Sequence, residues 1–146
     1  MSTRSRIAIK NNDGTIKSIY CHFDGYLSGV GEMLLENYKD ENKIKDLIAL
    51  GDISSLKENV NPPDGVKHTF DNPCDDVVVA YHRDRGEDFH DGTDNDEDGL
   101  MNRFNNSDEE FLYLFKDGKW FVAYNYGDDK HKFFELTKEF IDKVED

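Results

Sequence analysis

"FLYLFKDGKWFVAYNY", residues 111–126, decides how the rest of this chain is read. Two aromatic-rich runs flank Asp117-Gly118, a dipeptide suited to the left-handed turn of a two-residue β-hairpin. Trp120 in the second run reads as a sheet-core residue. Working outward, the N-terminal end predicts a second hairpin. "SRIAIK" and "IKSIYCH" enclose "NNDGT", with Ile7 and Ile9 alternating on one strand and Ile16, Ile19 and Tyr20 marking the other. Asp13-Gly14 supplies that turn.

Between the hairpins the period changes. "FDGYLSGVG" reads as a glycine-punctuated loop in which Ser28 caps a helix carrying Val30, Met33, Leu34 and Tyr38 on one face. "ENKIKDLIAL" predicts a second amphipathic helix, with Ile44, Leu47 and Ile48 inward and Gly51 as its stop. "NPPDG", 61–65, is a rigid turn, and "VVVAY", 77–81, is the β-branched run of a buried strand. The closing "FFELTKEFIDKVED" predicts a helix with Phe133, Leu136, Phe140 and Val144 on one side. No internal repeat or linker divides the chain. The order ββαα-β-ββ-α therefore predicts a single α+β domain over 1–146. Its parts are a mostly antiparallel twisted sheet, an N-terminal β-hairpin, central amphipathic helices, an aromatic C-terminal hairpin and a C-terminal helix. An acidic surface loop is expected at about 84–106.

The 146 residues are enough for one core, and 10 Phe, 7 Tyr and 1 Trp supply its bulk. Charge is the other dominant property: 32 acids against 18 bases give a formal −14. A phosphate-binding face needs a basic patch, so this balance argues against direct binding to nucleic acid or to an anionic membrane. It points to basic protein surfaces or to cations. The N-terminus turns polar too soon for a signal peptide, and no apolar run approaches the roughly 20 residues of a bilayer span. Cys21 and Cys74 match neither a CxxC pair nor a dense secreted framework. Two free thiols in a cytoplasmic protein is the plain reading, with a single disulfide as the alternative.

"DGTDNDEDGLMN", 91–102, admits three readings. Asp94, Asp96, Asp98 and Gly99 match D-x-D-x-D-G, the spacing that converges carboxylates on calcium, with the Leu100 carbonyl and Asn102 as further ligands. Asn105 stands where a bidentate Glu is expected, so the Ca2+ site is incomplete. The second reading is an acidic loop kept soluble by self-repulsion. The third is a decoy: Asp84, Glu87, Asp88, Asp91, Asp94, Asp96, Glu97 and Asp98 imitate DNA phosphates and occupy a basic nucleic-acid channel.

"CHFDGY", 21–26, and "YHRDRGE", 81–87, each follow an apolar run and each contain H-x-D. Residues i and i+2 of an extended chain share a face, so His22 with Asp24 and His82 with Asp84 are paired candidates for metal or acid–base chemistry. His22, Asp24, Arg83, Asp84, Arg85 and Glu87 together form the alternative set for a nucleotide, another small ligand or a metal, the two arginines gripping an anion. Strand-end turns and internal salt bridges are the plain alternative. "LSGVG" lacks the G-x-S-x-G of a nucleophile elbow, and "GYLSGVG" lacks the lysine of a phosphate loop.

"TRSRIAI", "DGTIKSIYCHFDGYLSGVG", "LIALGDISSL" and "RDRGE", with the aromatic hairpin near the end, resemble a family of small proteins encoded in bacteriophages, prophages and other mobile elements. The likeness covers Thr3 to about Leu56, Tyr81 to Glu87 and, more loosely, 111–124; the acidic stretch 88–98 departs from it. The resemblance implies accessory phage cargo acting in the cytoplasm of a bacterium. Small acidic proteins of that setting often antagonise host defence, as anti-CRISPR or anti-restriction proteins do. The expectation is a non-enzymatic, DNA-mimicking inhibitor whose partner is a basic, nucleic-acid-binding defence effector. Fold alone does not carry that function.

Overall fold

In the computed structural model, which describes residues 2–145, both predicted hairpins form. β1 (Ser5–Lys10) and β2 (Ile16–Cys21) pair antiparallel with Ile7 opposite Ile19. β6 (Phe111–Lys116) and β7 (Lys119–Tyr124) pair antiparallel with Phe115 opposite Trp120. Asp117 and Gly118 both have positive φ, 53° and 75°, which is the backbone a right-twisted two-residue turn requires.

The two hairpins join through the centre of the sheet. β1 lies parallel to β6, with Ser5 opposite Phe111 and Ile9 opposite Phe115. β3 (Ile53–Ser55) and β4 (Val79–Ala80) extend the β2 edge, β5 (Gly92–Asp94) pairs with the other end of β2, and β8 (Phe134–Glu135) closes the β7 edge. The result is the expected α+β domain: an eight-stranded mixed, mostly antiparallel sheet with an aromatic hairpin and a final helix.

Alternation along the strands makes two cores. Ile7, Ile9, Ile19, Tyr113, Trp120 and Val122 point to one face. There they meet Leu34 of α1 (Glu32–Asn37), Ile44, Leu47 and Ile48 of α2 (Glu41–Ile48), and Ile141 of α5 (Lys138–Glu145). Ala8, Ile16, Leu112, Leu114 and Ala123 point to the other face and are covered by Leu100 and Phe104 of α4 (Glu97–Asn105). Tyr113 and Trp120 bury their polar ends on carbonyls. Tyr113 donates to Gly25 at 2.7 Å and Trp120 Nε1 to Tyr38 at 2.9 Å.

Four expectations need correction. The 84–106 stretch is not one solvated loop, since it contains β5 and α4, whose apolar stripe seals the second core. Ser28 does not cap a helix; it lies within a π-helical turn, Leu27–Gly31, that runs straight into α1, and its backbone N–H donates to Glu145 at 3.1 Å. "VVVAY" is cut short, because Tyr81 opens α3 (Tyr81–Arg85). The last helix begins only at Lys138. Phe134 belongs to β8, Ile141 is the buried residue of α5, and Val144 is 48% exposed.

Candidate functional site

The eight acids of the decoy reading do not form a bare patch. The Asp84 side chain is 3% exposed. Its oxygens accept from Arg83 Nε at 2.8 Å, from the Ala80 N–H at 2.8 Å and from His68 Nε2 at 3.2 Å. His68 Nδ1 accepts the Cys74 N–H at 2.9 Å, which leaves the ring proton on Nε2 and directs it at Asp84. Burial alone raises the Asp84 carboxyl, but the Arg83 fork, the Ala80 amide and His68 outweigh it and hold it below the usual range. Asp84 is a structural anion and is removed from the contact surface.

Others of the eight are also engaged. Asp91 meets Lys17 at 3.4 Å, Asp94 meets Arg103 at 3.0 Å, Glu97 takes Lys10 and Lys116 both at 3.0 Å, and Glu87 meets Arg85 at 3.4 Å. Asp96 accepts the Gly99 N–H at 2.8 Å as the N-cap of α4. Asp88 and Asp98 remain exposed without an ion-pair partner among the described residues. The D-x-D-x-D-G segment therefore ends a strand and starts a helix, and Leu100 and Asn102 lie inside that helix. Among the described residues no three His, Cys, Asp or Glu side chains are grouped to hold a metal ion, so this geometry lends the Ca2+ reading no support.

The six-residue ligand set is likewise separated. Arg83 spends its guanidinium on Asp84 and on the Val60 and Val78 carbonyls, each at 2.7 Å. His22 is held by the Tyr20 hydroxyl at 2.7 Å and Ser2 Oγ at 3.1 Å. Asp24 sits in a left-handed turn, φ 60°. Arg85 lies over the Phe70 ring at 4.8 Å. Of the six, Glu87 reaches a cavity.

That cavity, about 220 Å³, is lined by Tyr20, Asp52, Tyr81, His82, Glu87, Asp88 and His90. Asp52 assembles it. Its Oδ1 accepts the Tyr20 N–H at 2.9 Å, its own N–H donates to the His90 carbonyl at 2.9 Å, and its carbonyl accepts the Tyr81 N–H at 3.3 Å. One residue thus ties β2, the start of α3 and the 87–91 segment together. The Asp52 Oδ2 has no hydrogen-bond partner among the described residues. Burial pushes the Asp52 carboxyl up, opposed by the Tyr20 amide and by Arg6 and His90. Burial likewise raises the Tyr20 phenol to about 12. His82 Nδ1 donates to the Glu87 carbonyl at 2.7 Å, leaving Nε2 as an acceptor.

The 87–91 segment is a wall between two spaces. Glu87, Asp88 and His90 face this cavity, while Phe89 and Asp91 line a second one of about 410 Å³ with Ile9, Ile48, Lys17 and Lys45. Tyr20, Asp52, Tyr81 and His90 were not singled out in the sequence as site residues. Three of them lie in or directly beside quoted segments, "IYCH", "GDISS" and "YHRDRGE", but only the sheet brings those segments together. Comparison with protein-family models, with curated proteins and with solved structures finds no match.

Proposed function

We propose that this protein is a phage-encoded acidic inhibitor of a bacterial defence protein, of the anti-CRISPR or anti-restriction type, that covers a basic nucleic-acid-binding surface. One observation carries the reading: most lysines and arginines are already matched to carboxylates, so the formal −14 is left on exposed acids with no counter-charge. Asp64, Asp71, Asp75, Asp76, Asp88 and Asp98 are exposed and unmatched among the described residues. These six replace the internally paired acids as the bet for partner contact. A field of this sign speeds encounter with a Lys/Arg-lined channel and repels DNA from the same place. The likeness of the N-terminal half to phage and prophage proteins supports the setting, inside the bacterial cytoplasm.

Affinity capture from a bacterial lysate at low and high salt tests this. A basic nucleic-acid-binding protein is expected at low salt, released by added duplex DNA and by high salt. Converting the six acids to amides should abolish capture while leaving the fold intact. Recovery of no basic partner, or undiminished inhibition by the six-amide variant, would falsify the reading.

A further inference from the structure

We propose that the cavity beside the turn of the aromatic hairpin is a binding site for a small apolar carboxylate, a single aromatic ring carrying one anionic group on a short stem. This goes beyond the inhibitor reading and does not depend on it. The cavity, about 300 Å³, opens between the turn of the β6–β7 hairpin, the link from α1 to α2 and the link from β8 to α5. Phe115, Trp120 and Leu136 form its buried apolar floor, and half-buried Leu35 adds to it. Its rim carries three lysines, Lys39, Lys119 and Lys138, against one carboxylate, Glu135. In a chain of formal charge −14 this is a local reversal of sign.

Two of the three lysines are already engaged. Lys138 meets Glu32 of α1 at 3.3 Å, and Lys119 meets Glu135 at 3.7 Å. Lys39 has no ion-pair partner among the described residues and stands at the edge of the apolar floor. That arrangement matches one negative charge attached to a ring. A cation would meet three lysines instead. A nucleotide brings at least two charges to one unpaired ammonium, with no arginine fork to share them. A bare anion leaves the floor unused, and a neutral ring leaves Lys39 unused. About 300 Å³ is the lower end of the space that ligand sites occupy, enough for one ring rather than a fused system. The −14 field opposes any anion at long range, yet physiological salt screens it beyond about 8 Å, while the contact with Lys39 is direct.

Trp120 holds both walls in place. Its Nε1–H donates to the carbonyl of Tyr38, the residue before Lys39, at 2.9 Å. Its own carbonyl accepts the Leu136 N–H, also at 2.9 Å, and the next residue, Thr137, caps α5 by accepting the Phe140 N–H at 3.0 Å. Phe115 packs against the same indole with ring centroids 5.2 Å apart. The floor is therefore preorganised, and the flexible Lys39 side chain is the part that a ligand must order.

Titration of the full chain with 3-phenylpropanoate tests the proposal, followed by amide NMR and by the fluorescence of Trp120, the single tryptophan of the chain. 3-Phenylpropanamide, 2-phenylethylammonium, acetate and AMP are the competing probes. Saturable shifts are expected at Lys39, 118–120 and 136–138, with a change in Trp120 emission. The carboxylate should bind about threefold to fivefold tighter than its neutral amide, the worth of one exposed charge pair, and the ammonium weakest of the three. Lys39→Gln, at an exposed side chain with no ion pair to lose, should erase the preference for carboxylate over amide at an unchanged melting temperature. Lys39→Arg should retain it. The proposal is overturned if 3-phenylpropanoate shifts none of those amides up to about 20 mM. It is equally overturned if the amide or the ammonium binds as well as the carboxylate, if acetate or AMP binds as tightly, or if Lys39→Gln keeps the wild-type preference.

Discussion

Asp84 accepts four hydrogen bonds through its two side-chain oxygens, from His68, from the Ala80 N–H and twice from Arg83. Truncating it leaves a buried amide, an imidazole N–H and part of a guanidinium without acceptors. Asp84→Ala is therefore expected to cost about 3 kcal/mol, read as a lowered urea midpoint at unchanged slope. The H-x-D and R-D-R spacing that drew attention to this residue in the sequence was real chemistry of another kind. An aspartate aimed inward and one aimed outward have the same letter, and only the fold separates them. The same holds at Gly51, which the sequence marked as a helix stop. It has φ +78°, and a Cβ there would lie 2.8 Å from the His90 carbonyl and 2.9 Å from the Phe89 ring. Gly51→Ala should destabilise by about 2 kcal/mol and displace the wall between the two cavities, visible as broadened amides over 87–91.

At the scale of elements, α4 separates the two views of the acidic stretch. A solvated loop would tolerate loss of an aromatic side chain, whereas Phe104 is fully buried against Leu112, Leu114 and Ala123. Phe104→Ala is expected to lower stability by about 4 kcal/mol in chemical denaturation. The helix was legible in principle. Asp96 is an N-cap residue, and Leu100 with Phe104 stand four apart. The density of carboxylates masks that pattern, because Leu100 and Phe104 are the two buried residues of a nine-residue helix whose first turn is acidic. The hairpins, α2 and the aromatic core were readable because each is specified by turn chemistry and alternation within a dozen residues. The parallel β1–β6 pairing and the two-residue strands β4 and β8 were not, since partners distant in sequence create them. The cavity failed to appear for the same reason: its residues belong to three separated segments, and nothing local marks Asp52 as their junction.

For the molecule as a whole, the charged groups pull stability in opposite directions as pH falls. Asp52 is raised by burial, so from neutrality downward the folded state takes up that proton before the unfolded chain does, and stability rises. Relief of the −14 self-repulsion acts the same way. Asp84 and Glu97 lie below their ordinary values despite burial, held by Arg83, Ala80 and His68 and by Lys10 and Lys116. Their contribution is complete above the unfolded carboxyl range and is lost as pH drops below about 4 through their folded values. The melting temperature should therefore peak in mildly acidic buffer and then fall steeply; a profile flat from neutrality to pH 3 would contradict this assignment of charges.

The parallel seam between β1 and β6 carries a consequence for biosynthesis. β1 becomes an interior strand, and its parallel neighbour β6 leaves the ribosome more than a hundred residues after it. Until then the nascent N-terminal half presents an open row of backbone donors and acceptors along β1. Completion of the sheet must await the aromatic hairpin, so synthesis of β6 and β7 governs when β1 and β2 become native.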